Sequence, residues 1–233
     1  MLLKKAMKTI AFFYICKNSN RTVSFLIQKL LSYTDEKKCT VFAKGEFICK
    51  QNQTFNHFCL LTSGLVKLYL EHRGKTIIIQ LLTPGDIILF PALTEKNIST
   101  YNVVALQPSE VIVIGTNQFY RSIENDPYLS IKLLEIQNQL KNSFYHRIFS
   151  LTQKRAHGRV ADALLYLSDD VFKNQTFLLP FPRKDFGAFT ALSTESTIRI
   201  LREMHNDKII ELSNRTVTLS SRSILEKLTQ NCH

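Results

Sequence analysis

RKDFGAFTALSTESTIRILREMHNDKII, residues 183–210, reads as two short helices around a tight turn. With about 100° per residue, Thr197, Ile200, Leu201 and Met204 share one side of the second helix, and Glu195, Ile198, Arg199 and Arg202 share the other. One side is apolar enough to pack; the other carries hydrogen-bonding heads. Arginine matches the acceptors of guanine and glutamate accepts from cytosine N4. The stretch therefore predicts a helix-turn-helix whose second helix enters the DNA major groove.

The chain around it has 233 residues, 45% of them apolar, with a formal net charge of +11. That length supports a sizeable core and two small domains, and the charge suits a polyanionic partner. The charge is unevenly spread, however. Residues 1–31 carry six Lys or Arg and no acid, whereas residues 150–233 carry a net +3. Net charge alone therefore does not locate a DNA-binding surface, and the helix faces have to do so. The five cysteines, Cys16, Cys39, Cys49, Cys59 and Cys232, lie too far apart for CxxC pairing and read as reduced thiols of a cytoplasmic protein. No run approaches the roughly 18 apolar residues needed to cross a bilayer. The start, MLLKKAMKTIAFFYIC, has lysines ahead of a short apolar run but no small-x-small cleavage pattern.

Residues 1–31 read as a basic, amphipathic helical extension ending in FLIQKLL, docked on the following domain rather than on a membrane. From Cys39 to about Ile114 come short runs rich in β-branched and aromatic residues: CTVFA, EFICK, HFCLLTS, LVKLYLE, TIIIQLLT, DIILF, YNVVAL and EVIVI. Gly45, Gly64, Gly74 and Pro84-Gly85 punctuate them. The pattern predicts an antiparallel β-roll, jelly-roll-like, over 32–121.

Asn125-Asp126-Pro127 opens a long helix within 122–152. Leu129, Leu133, Ile136 and Leu140, continued by Phe144 and Ile148, form a stripe expected to pair with a second copy in a two-fold dimer. Packing of the stripe on its own β-domain is the alternative. HGRVADALLYLSDD, residues 157–170, makes a further helix, IIEL and TVTL around Ser213-Asn214-Arg215 a two-stranded wing, and Ser223 to Leu228 a last helix. Residues 153–233 thus form a winged helix-turn-helix domain, and the whole chain is of the α+β class.

In this order the chain resembles the Crp/Fnr family of bacterial transcription regulators. The pieces that carry the resemblance are Lys44-Gly45-Glu46-Phe47-Ile48, Leu61-Thr62-Ser63-Gly64-Leu65-Val66-Lys67, Pro84-Gly85-Asp86, Gly158-Arg159-Val160-Ala161 and Ser193 through Arg202. The resemblance implies a cyclic-nucleotide-binding-like roll, a dimerisation helix and a DNA-reading winged helix. It implies base reading by Glu195 and Arg199, with backbone or secondary contacts from Thr194, Ser196, Ile198, Arg202 and Arg215. The family often has Arg where this chain has Thr194, which implies an altered half-site. It usually has Gly where this chain has Ala191, a change that suits a backbone outside the left-handed region. Partners implied are double-stranded DNA, RNA polymerase, a second copy of the chain and a small-molecule effector.

Members that hold cyclic AMP do so with a Gly-Glu pair and an Arg-Ser pair; the matching positions here are Leu89 and Phe90, then Ser99 and Thr100. Without the guanidinium and the carboxylate, cyclic AMP is not expected to bind in the usual way. These four residues are the candidate ligand pocket, which the apolar run 87–93 either lines or fills. Some relatives bind an iron-sulfur cluster or haem. Cys16, Cys39, Cys49 and Cys59 have the right number but the wrong spacing for a cluster, and His57, His72 and His146 stand apart from one another as haem ligands. No cofactor, metal site or catalytic residue is expected. A roll without ligand, a metal-dependent β-roll enzyme and a winged helix that binds protein instead of DNA are the competing readings. The enzyme would need clustered His and carboxylate ligands that the sequence does not show.

Overall fold

The computed structural model describes residues 38–54, 56–88 and 97–230. The basic extension 1–31, Cys16, Cys232, and Leu89 and Phe90 of the candidate pocket lie outside the described residues. The chain divides into two compact units: residues up to Glu71 with Gln80–Lys141, and His72–Ile79 with the chain from Asn142 onward.

The first unit is built on strands β1 (Lys38–Phe42), β2 (Phe47–Cys49), β3 (His57–Ser63), β4 (Val66–His72), β5 (Lys75–Leu82), β6 (Ile87–Ile88), β7 (Asn102–Ala105) and β8 (Ser109–Gly115). They form two four-stranded sheets, ordered β1-β8-β3-β6 and β2-β7-β4-β5, the β-roll that the alternating runs predict. Strand β8 pairs antiparallel with both β1 and β3, with Val111 opposite Thr40 on one side and Leu61 on the other. Gly64 has φ of +98°, and a Cβ there would meet the Ser109 Cα at 2.6 Å, so no other residue fits without displacing β8. Between the sheets lie Ile48, Cys49, Cys59, Leu61, Val66, Leu82, Ile88, Val103, Ala105 and Val111.

Two helices follow, α1 (Thr116–Asn125) and α2 (Tyr128–Gln153). The Asp126 carboxylate accepts from the Tyr128 amide at 3.2 Å where α2 begins. Helix α1, whose apolar residues are too few to stand out by periodicity, delivers Phe119 into a stacked contact with Phe58, ring centroids 3.7 Å apart. Leu129 and Ile136 are buried in the same cluster, with Leu133 and Leu140 packed against it. Of the row expected to form a dimer seam, Leu129 and Ile136 are thus covered by the chain's own roll, the alternative packing, while Leu133 and Leu140 are covered only in part. Phe144 and Ile148, by contrast, are exposed. So are Ile131, Leu134, Tyr145 and Phe149, which leave the helix from roughly the opposite side.

The second unit contains α3 (Ala156–Tyr166), continued by a π-helical turn (Leu167–Phe172), then β9 (Thr176–Leu178), α4 (Arg183–Thr190), α5 (Thr194–Asn206), β10 (Ile210–Ser213), β11 (Thr216–Leu219) and α6 (Arg222–Thr229). Val160, Leu164 and Leu167 turn inward from α3 and its continuation, and Phe177, Phe181, Phe186 and Phe189 are buried with them. The wing is three-stranded, ordered β10-β11-β9. Its third strand, Thr-Phe-Leu, is too short for alternation to reveal it in sequence.

Replacing Leu129 with Ala removes a fully buried side chain from the cluster under α2. Unfolding by denaturant should show a loss of about 2–5 kcal/mol.

Candidate nucleic-acid interface

Helix α4 comes so close to the start of α5 at Gly187 that no side chain fits there. A Cβ on Gly187 would lie 2.8 Å from the Leu192 carbonyl oxygen and 3.3 Å from Thr197 Oγ1. The Leu192 amide donates to the Gly187 carbonyl at 2.9 Å, closing the end of α4. Ala191 caps that helix with φ 51° and ψ 45°, in the left-handed region rather than outside it, because the chain must reverse within three residues to begin α5.

Ser193 starts α5: its hydroxyl oxygen accepts from the Ser196 amide at 3.1 Å, and Thr197 Oγ1 donates to the Ser193 carbonyl at 2.8 Å. Thr197, Ile200, Leu201 and Met204 are buried, while Glu195, Arg199 and Arg202 are exposed and Thr194, Ser196 and Ile198 half-buried. The first turn therefore brings hydroxyls and one carboxylate to the surface together. Hydrogen bonding from its own amide and then from Ser193 holds the Glu195 carboxyl below the usual range, so it stays ionised as an acceptor. The partner of Arg199 is not Glu195 but Glu203, one turn further on, at 2.9 Å. Glu203 also meets His157 of α3 at 2.8 Å, and the His157 contact, with Arg199 second, holds its carboxyl low. An exposed pair of this kind is weak and screened by salt, so Arg199 is readily released to a better acceptor.

Arg215 is turned back on its own domain, donating to the Leu179 carbonyl at 2.7 Å. Arg183, at the start of α4, donates to the Asn214 carbonyl of the wing turn at 3.1 Å. Arg159 of α3 donates to the Ala191 carbonyl at 3.1 Å. Sequence reading misses these last two roles because the acceptors are backbone carbonyls far along the chain. The Ser193 cap was legible as a serine directly before the periodic run.

In the roll, Ser99 is fully buried and donates to the Tyr101 carbonyl at 2.6 Å, whereas Thr100 is exposed. Burial, with Cys49 nearby, pushes the Cys59 thiol up to about 12, and burial raises Cys49 against an opposing hydrogen bond with Ser99. Such thiols remain protonated and pack as small apolar groups. Among the described residues no three His, Cys, Asp or Glu side chains gather where a metal ion could be held. No helix among them is long and apolar enough to cross a membrane.

A family model described as a cyclic nucleotide-binding domain matches residues 39–126, and one described as a Crp-like helix-turn-helix domain matches residues 158–228. The chain is 22% identical over 199 residues to a cyclic AMP receptor protein of Thermus thermophilus, covering 85% of this chain and 89% of that one. It is 22% identical over 174 residues to the transcriptional activatory protein AadR of Rhodopseudomonas palustris, covering 72% of each. Among solved structures, FixK2 from Bradyrhizobium japonicum superposes with a TM-score of 0.75 at 22% identity, covering 83% of this chain and 97% of that one.

The left-handed Ala191 has a direct energetic consequence. Its Cβ crowds the backbone there, a cost that Gly escapes. Ala191→Gly should raise the stability of the second unit by up to about 1 kcal/mol, read as a higher melting temperature in calorimetry.

Proposed function

The chain belongs to the Crp/Fnr family of transcription regulators, and from that premise we propose that it binds DNA as a two-fold dimer, reading base edges with Glu195 and Arg199. The observation that carries the reading is the division of α5: Thr197, Ile200, Leu201 and Met204 hold the helix in its domain, leaving Glu195 and Arg199, one turn apart, exposed on the other side. An ionised Glu195 accepts from cytosine N4, and Arg199 exchanges Glu203 for guanine O6 and N7. Thr194 and the Ser196 hydroxyl face phosphate at the helix N-terminus, with Arg202 further along and Ile198 against the groove wall. Arg215 contributes by anchoring the wing through Leu179.

The second copy meets the outward face of α2. Ile131, Leu134, Asn138, Lys141, Tyr145 and Ile148 follow one another at spacings of 3, 4, 3, 4 and 3, and all are exposed. This is the heptad spacing of a two-helix seam, and Phe144 and Phe149 flank it. The dimer would set two α5 helices against successive major grooves. Such a regulator works in the cytoplasm, where RNA polymerase is its natural partner.

The roll is the site of a signal other than cyclic AMP held in the usual way: at Ser99 and Thr100 there is no guanidinium to meet a cyclic phosphate. A second reading, a roll that takes no ligand, draws on the close apolar packing of Cys49, Cys59, Leu61, Ile88 and Val103.

Two measurements check the proposal. Arg199→Ala should lose about 1–3 kcal/mol of discrimination at one base pair of a duplex selected by the wild-type protein, read by competition gel shift; wild-type affinity and preference would remove Arg199 from the reading face. Leu134→Asp should convert the dimer to monomer in analytical ultracentrifugation, because it places two like charges in the seam; an unchanged dimer would exclude this face of α2.

A further inference from the structure

Arg147 lies in the C-terminal half of α2, within the second unit. Its guanidinium sits 3.9 Å from the centroid of the Phe189 ring. It donates to the Phe189 carbonyl and, at 3.3 Å, to the Ile78 carbonyl of β5. Burial lowers its pKa to about 10, which leaves it charged at neutral pH. Tyr166 and Asp162 offset part of that lowering, and the Asp162 carboxylate is itself paired with Lys154 at 2.7 Å. A half-buried cation held by two carbonyls and a ring face, with no carboxylate among the described residues in direct contact, is a costly arrangement, and its role lies in the contacts it makes.

Both acceptors are informative. Phe189 belongs to the last turn of α4, where carbonyls lack intrahelical partners and the helix dipole favours a cation. Two residues later comes Ala191, left-handed where Gly would be at ease, and its carbonyl takes Arg159. The turn that aims α5 is therefore held from outside at two carbonyls, by Arg147 from α2 and by Arg159 from α3. The second acceptor, Ile78, lies on the hairpin of β4 and β5, in the segment His72–Ile79 that packs in this unit. Both bonds leave one terminal nitrogen, Nη2, while the planar guanidinium lies over the Phe189 ring, a stacked contact that the compact, strongly hydrated point charge of an ammonium does not reproduce.

We infer that Arg147 is a positioning residue for DNA reading, one that fixes the turn ahead of α5 and ties the placement of that turn to the β4–β5 hairpin. The inference rests on the DNA-reading proposal above and extends it, since Arg147 belongs to α2 and acts through the turn rather than on DNA itself. A displacement of the hairpin is transmitted through one side chain to the turn, and from there to the angle of the reading helix.

The test uses the full chain as wild type, Arg147→Met, which keeps an apolar stem, and Arg147→Lys, which keeps the charge. Amide hydrogen exchange should accelerate at 75–80 and 188–194 together in the Met variant, by about tenfold or more, and less in the Lys variant. Affinity for a duplex enriched by the wild type from a random library should fall about tenfold, with the salt dependence of binding and the affinity for a scrambled duplex unchanged. Wild-type exchange, or acceleration in only one of the two segments, would overturn the coupling. An equal loss on both duplexes would make Arg147 a general structural or phosphate-linked residue and also overturn it. Should the Met variant fail to fold by circular dichroism, the Lys variant decides by the same readings. If the wild type enriches no duplex, the DNA-reading proposal falls, and the exchange measurement still decides whether Arg147 joins hairpin and turn.

Discussion

A missing methyl group sets the geometry of the reading domain. At Gly187 the backbone of α4 comes so close to the Leu192 carbonyl that a Cβ would collide with it, and this approach lets α5 cross α4 with Thr197 tucked into the same contact. Everything presented by α5 follows from that crossing. The buried row from Thr197 to Met204 is pressed into the domain, and Glu195, Arg199 and Arg202 are left outside. The turn between the helices carries a conformational cost at Ala191, offset in part by arginines that bind its carbonyl groups from neighbouring helices. A backbone turn held at its carbonyls can be displaced as a unit, which suits a junction that must move a helix without melting it.

Helices α2 and α5 illustrate one rule with different outcomes. Each has an apolar row that its own unit covers and a second face left to solvent. On α5 the uncovered face is polar and charged and suits a nucleic acid. On α2 it is apolar over most of its length, broken by Asn138 and Lys141, and suits a copy of itself. A polar residue at a core position of a two-helix seam weakens association but favours one register and stoichiometry, a useful property in the proposed dimer, where it would keep two α5 helices at a defined spacing. The same helix thus serves the roll with one side and the proposed partner with the other. Arg147 stands five turns beyond Leu129, on the same side of α2 as the roll-packed row and away from the proposed seam.

The roll contrasts with the output domain. Its strands, turns and apolar interior follow the family pattern closely, yet the positions that would meet a cyclic phosphate carry no arginine, and the buried thiols are held protonated by their surroundings. Shape has been kept while the polar groups that would recognise a nucleotide are different. Recognition depends on a few charged groups, whereas the sheets depend on many interchangeable apolar ones.

Sequence alone determined the order and type of most elements, because alternation and helical periodicity are local properties. It also determined which residues of α5 face outward, since the apolar row there has only one domain to enter. The Leu129, Leu133, Ile136 and Leu140 row was equally legible as a row, but its neighbour was not: periodicity identifies a face, and only the packed structure says whether the roll or a second chain covers it. Helix α1 and strand β9 were too short or too weakly patterned to read. The left-handed turn at Ala191 and the arginines that hold Phe189, Ala191 and Asn214 by their carbonyls were beyond sequence for a different reason. Every residue carries the same carbonyl, so nothing in the side-chain order marks which ones a distant guanidinium will find, and tertiary structure alone made that choice.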